Sequence, residues 1–206
     1  MSASLGKWQS VLQQAPVVQF FDGLFERVGV RVTGTGEAFT CVHQGTRIAF
    51  EPTLDESKVD YTVEIDPAQV ERLANQASKG AFDQAEQYRI MAELFTPATA
   101  AILKHPQFSG SLAKLLTGAE EVIHVRLASP PPGEPEVAHT LYHRGEGWEV
   151  EPGLHGTATR HYTLPLEEAL AFQRRAFALI RADSVVALME FALWYRSWRK
   201  GVSSAA

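Results

Sequence analysis

Residues 40–54 return 100 positions later in the same chain. Thr40, His43, Gly45, Glu51, Pro52 and Leu54 reappear as Thr140, His143, Gly145, Glu151, Pro152 and Leu154, six identities in 15 positions. Chance at ordinary composition gives about one. An offset of 101 adds Tyr61-Thr62 against Tyr162-Thr163. A chain that repeats a strand, a glycine turn and a second strand in the same order reads as a duplicated supersecondary unit.

The surrounding pattern fits. Phe39, Cys41 and His43 alternate with Thr40 and Val42, and Val59, Tyr61, Val63 and Ile65 alternate with Asp60, Thr62 and Glu64. Both are half-buried strands. Val137–His143, Trp148–Glu151 and Arg160–Leu164 are their counterparts, with Ile123, Val125 and Leu127 ahead of them. Pro16–Gly29 carries apolar residues at helical spacing and closes on Gly29. Asp66-Pro67 opens a helix with a cap and a proline. Tyr88, Met91 and Phe95 mark a helix stripe, Thr96-Pro97 signals a fresh helix start, and a short helix is expected around Leu112–Leu116. Two long helices follow, from Pro165 to about Ala182 and from Ser184 to Lys200.

Four strands with one apolar face need a layer to cover them. The predicted fold is therefore α+β: antiparallel sheets from a duplicated strand–hairpin–strand–helix unit, covered by helices. The chain reads as a single domain with a first copy at 17–78, a helical insert at 79–119, a second copy at 120–182 and a terminal helix at 183–200.

Composition narrows the function classes. The net charge is −5, with 45% apolar and 21% charged residues, ordinary for a globular protein. The acidity argues against a nucleic-acid partner, which needs a dense Lys/Arg footprint. Cys41 is the only cysteine, which excludes an internal disulfide and fits a reducing compartment. No run approaches the ~20 apolar residues of a membrane span, so the expected location is cytoplasmic. Gly34-x-Gly36 lacks the third glycine of a dinucleotide fingerprint.

The first copy resembles the sterol-carrier-protein-2-like family over about residues 17–82, and the resemblance extends as a duplication to 120–181. A leading helix precedes Val30–His43 and the Gly45 hairpin. Lys58-Val59-Asp60-Tyr61-Thr62-Val63-Glu64-Ile65 then leads into the Asp66–Gln76 helix and Gly80-Ala81-Phe82. The family normally continues into another strand and a closing helix, where this chain places a helical stretch and a second copy. The resemblance implies a sheet of five-strand type packed by helices around an apolar ligand cavity, with no catalytic residues.

The inward faces supply the candidate ligand-binding residues: Phe39, Phe50 and Tyr61 from the first copy, Tyr88, Met91 and Phe95 from the central helix, and His139, Trp148 and Tyr162 from the second copy. A large apolar pocket with a few polar handles suits a small apolar molecule, and the same residues suit a filled core. The expectation is non-enzymatic binding or transfer of a lipid, sterol-like molecule or acyl chain, with no cofactor and no metal. Two other readings stay open. His124, His139, His143, His155 and His161 cluster in the second copy and could serve an enzyme, although His139 and His143 on one strand lie about 13 Å apart. The 184–200 helix, with Trp194, Tyr195 and Trp198, could form a homodimer seam or rest on a membrane interface. His43 and His143 are expected to bond the hairpin backbone, and Glu51 and Glu151 to be solvated strand-exit residues.

Overall fold

The structure is a computed structural model that describes residues 3–109, 120–144 and 147–203. The fold is α+β, with seven helices among the described residues and two four-stranded sheets. The chain divides into two compact units, Met1–Pro97 and Ala98–Ala206. The boundary between them falls inside the stretch read as an insert.

In the first unit, β1 (Arg27–Val32), β2 (Ala38–His43), β3 (Ile48–Glu51) and β4 (Tyr61–Ile65) lie in the order β3-β2-β1-β4. The first three form an antiparallel meander, and β4 joins β1 in parallel. The second unit repeats this with β5 (Glu120–Leu127), β6 (Ala138–Arg144), β7 (Gly147–Pro152) and β8 (Arg160–Leu164) in the order β7-β6-β5-β8. The sheets are thus mixed, where an all-antiparallel arrangement was expected, and each has four strands rather than five. The cause is the segment after β3 and after β7. It leaves one sheet edge and returns to the other, so the last strand runs alongside the first.

Register fixes the correspondence between the copies. Thr40 pairs with Glu51 and His43 with Ile48; Thr140 pairs with Glu151 and His143 with Trp148. The offset of 100 therefore holds through the hairpins. It does not become 101 afterwards. Val30 pairs with Val63, and Val125 with Tyr162, so Tyr162 is the counterpart of Val63 rather than of Tyr61. The Tyr-Thr likeness is a coincidence of sequence.

The repeated threonine has a structural role. Thr40 Oγ1 donates to the Thr53 carbonyl at 2.9 Å and Thr140 Oγ1 to the Gly153 carbonyl at 2.9 Å. Each bond ties the crossover segment across the outer face of its sheet. Gly29 is central to this arrangement in the first unit. A Cβ there would lie 2.6 Å from Leu54 Cδ1 and 2.8 Å from Thr62 Oγ1, so the missing side chain makes room for the crossover.

Gly29 is thus a strand residue and not a helix stop. The predicted 16–29 helix is α2 (Ala15–Phe21) alone, and Gly23 at φ 76° turns the chain out of it. Before it stands α1 (Ala3–Leu12). After β4 come α3 (Gln69–Ser78) and α4 (Gln84–Lys104). Asp83 Oδ1 accepts the Glu86 N–H at 2.9 Å at the start of α4. Thr96-Pro97 does not begin a new helix; α4 runs through Pro97. After α5 (Pro106–Ser109), the helix expected around Leu112–Leu116 lies outside the described residues. In the second unit α6 (Leu166–Ala182) and α7 (Val185–Ser203) follow β8.

Candidate functional site

The inner face of the first sheet carries Val28 and Val30 from β1, Phe39 and Cys41 from β2, and Val63 and Ile65 from β4. These six line an apolar cavity of about 50 Å³. Trp8 and Leu12 of α1, Phe21 and Phe25, Gln69 and Leu73 of α3, and Ile90, Glu93 and Leu94 of α4 complete its wall. The period-two alternation of the strands aims one apolar row inward, and the helices close it. Trp8 is 2% exposed and packs on Phe39 with ring centroids 5.6 Å apart.

Three wall residues carry polar groups. The Trp8 indole N–H is buried and has no hydrogen-bond partner. Gln69 is buried and accepts a hydrogen bond from Arg72. Glu93 is about a quarter exposed, with one carboxylate oxygen 3.9 Å from the Arg72 guanidinium. Burial pushes its carboxyl up to about 7, against the pull of Arg72 and with Glu86 and Asp66 reinforcing the rise. The site is a small apolar chamber whose wall residues include a buried, unpartnered indole N–H and a partly exposed carboxyl. Cys41 is fully inside, and burial pushes its thiol well above the usual range, so it is an inert wall residue. A wider opening of about 360 Å³ beside the β1–β2 turn is lined by Arg31, Glu37 and Glu64 with Gly34 and Gly36. Arg31 is already paired with Glu56 at 2.6 Å. This opening offers no enclosed apolar surface and is not the better candidate.

Of the residues singled out from sequence, Phe39 lines the cavity. Phe50 packs against it with ring centroids 4.8 Å apart and the planes tilted by 37°. Tyr61 is buried and donates its hydroxyl to the Leu24 carbonyl at 3.1 Å. Tyr88, Met91 and Phe95 are buried on α4, which presents Ile90, Glu93 and Leu94 to the cavity instead. His139, Trp148 and Tyr162 belong to the second unit, on its inner face. Sequence reasoning missed Trp8, Gln69 and Glu93. Leu5, Trp8, Val11 and Leu12 do recur at helical spacing, which is the signal that could have found α1.

The histidine cluster resolves into separate structural contacts. His124 stands where the first unit has Gly29; its Nε2 lies 3.0 Å from the His155 carbonyl, and its ring meets His161 edge-on at 5.2 Å. His155 in turn donates its backbone N–H to Thr140 Oγ1 at 2.9 Å. The His124 ring and the His155 backbone thus hold the crossover segment to the sheet. His143 packs on Trp148 at 4.7 Å. His43 reaches the Val18 carbonyl with Nε2 at 3.1 Å, so it latches α2 to the sheet and not the hairpin to itself. Among the described residues no three His, Cys, Asp or Glu side chains are placed to hold a metal ion. Glu51 pairs with Arg27 at 2.6 Å. No helix among the described residues is long and apolar enough to cross a membrane.

No protein-family model, curated protein or solved structure matches the chain.

Proposed function

We propose that the first unit is a non-enzymatic binding module for an apolar group, such as an acyl chain or the apolar end of a lipid. The observation that carries this reading is the apolar chamber whose wall contains a buried, unpartnered Trp8 N–H. An ether, ester or carboxyl oxygen on the ligand would meet that donor, and each methylene brought out of water would contribute about 0.8 kcal/mol. The resemblance to the sterol-carrier-protein-2-like family points the same way. Size sets the terms. Pockets for drug-sized ligands run to roughly 300–1,000 Å³, against about 50 Å³ here. A chamber of this size takes a short apolar tip.

The test compares native and denatured masses of protein purified from cells, then titrates decanoate. A bound mass on the order of a few hundred daltons, released on denaturation, is expected. Leu73→Trp, which fills the chamber, is expected to weaken decanoate binding at least tenfold. Equal masses together with no saturable decanoate binding in the wild type would overturn the reading.

A second reading, a homodimer through α7, rests on one observation. Val185, Val186, Met189 and Leu193 are 62–72% exposed and fall on one helix face, a patch of the kind that marks association. Phe191, on the opposite side, packs against Phe172 and Phe108. Light scattering is expected to show a dimer at on the order of 100 μM, converted to monomer by Met189→Glu with Leu193→Glu. A wild-type monomer at that concentration removes this reading.

A further inference from the structure

The two units share a scaffold and differ inside it. Val30 pairs with Phe39 on one side and Val63 on the other; Val125 pairs with His139 and Tyr162. The buried faces of the next helices match at an offset of 100, with Val70, Leu73 and Ala77 in α3 against Leu170, Gln173 and Phe177 in α6. Phe39, Val63 and Leu73 all line the chamber of the first unit. Their places in the second unit are held by His139, Tyr162 and Gln173, which are 1%, 8% and 1% exposed. Three apolar wall positions have become three hydrogen-bonding ones.

Gln173 is the informative member. Its amide nitrogen and oxygen are both buried, and neither has a partner. Buried polar groups in native proteins are almost always met by protein, water or ligand. The first unit shows that an apolar leucine fits the same place. An amide kept there instead calls for something that satisfies it. Burial also holds the His139 imidazole neutral, well below its usual range.

We propose that the inner face of the second unit binds a small neutral ring carrying adjacent N–H and C=O groups, of lactam, imide or pyrimidine type, through the Gln173 amide, with His139 and Tyr162 at the sheet positions equivalent to Phe39 and Val63 of the chamber. A primary amide presents one donor and one acceptor in a plane. The cis-amide edge of such a ring is its complement, giving two parallel hydrogen bonds. Ile123 and Val125 on the same sheet face are buried and offer an apolar surface to the ring. This site is independent of the apolar chamber and stands whether or not that chamber binds a ligand.

The test titrates 2-pyridone into the full-length protein and follows the glutamine side-chain amide signals by NMR, with N-methyl-2-pyridone as the control that lacks the donor. A saturable shift of the Gln173 amide pair is expected, with the control at least tenfold weaker. By calorimetry, Gln173→Leu is expected to abolish 2-pyridone binding with an unchanged or higher Tm, and His139→Phe to weaken it severalfold. If Gln173→Leu does not fold, the contrast between the two probes on wild-type protein decides. No saturable shift, or equal binding of both probes, would overturn the proposal and leave a buried water as the partner of the amide.

Discussion

Glu93→Gln is expected to stabilise the first unit by about 2 to 3 kcal/mol at pH 8 and to change little near pH 4. A glutamate carboxyl ordinarily titrates near 4.5, and burial against the apolar chamber pushes Glu93 up to about 7. Between those values the unfolded chain has released the proton while the folded chain retains it. Stability is therefore lost as pH rises through that window, at about 1.4 kcal/mol per pH unit. The side chain's partial exposure and the nearby Arg72 keep the figure at the lower end. Glutamine imitates the protonated carboxyl at every pH. Trp8 is the one tryptophan of residues 1–97, so in a background where Trp148, Trp194 and Trp198 are phenylalanine its fluorescence in urea melts from pH 4.5 to 8 reports on this unit alone. A wild-type midpoint that does not fall across the range would show that the carboxyl is not desolvated.

The second large effect runs the other way in pH. Burial pushes the His139 imidazole down from 6.5 to about 3. Below pH 6.5 the unfolded chain takes up a proton that the folded chain refuses, so stability drains away as pH falls toward 3. At pH 5 the loss is about 2 kcal/mol. His139→Phe, which installs the residue of the first unit, is expected to remove that loss. The variant's advantage in Tm over wild type should be larger at pH 5 than at pH 7.5. An advantage independent of pH would mean that the imidazole is charged or solvated when folded.

What could be read from the sequence was the repeat and the faces of the strands. Thr40 and Thr140, Pro52 and Pro152 kept their identities because each fastens or ends the same crossover. Alternation placed Phe39, Cys41, Val63 and Tyr162 inward correctly, since period two leaves no choice once one face is buried. The parallel pairing of β4 and β8 was not legible. A strand's own pattern does not reveal its neighbour, and Tyr61-Thr62 against Tyr162-Thr163 drew the alignment one way while register drew it another. Gly29 read as a helix end because the reason for a glycine, the approach of Leu54 and Thr62, is three-dimensional. Glu93 and Gln69 escaped notice for a related reason. A charged or amide side chain on a helix is normally solvated, and only the assembled wall shows these two turned against apolar neighbours.

The crossover also dictates an order of assembly. Cys41 reaches Val28 by closing a short hairpin, whereas Tyr61 reaches the same residue only after the whole meander and the crossover segment have been traversed. Closing the longer loop costs more chain entropy and returns contacts only at the end. Each sheet therefore grows from its meander outward, and its parallel edge strand docks last. The chain carries this late step twice, once for β4 and once for β8, so the parts of the two units that complete themselves last are also those that can detach first.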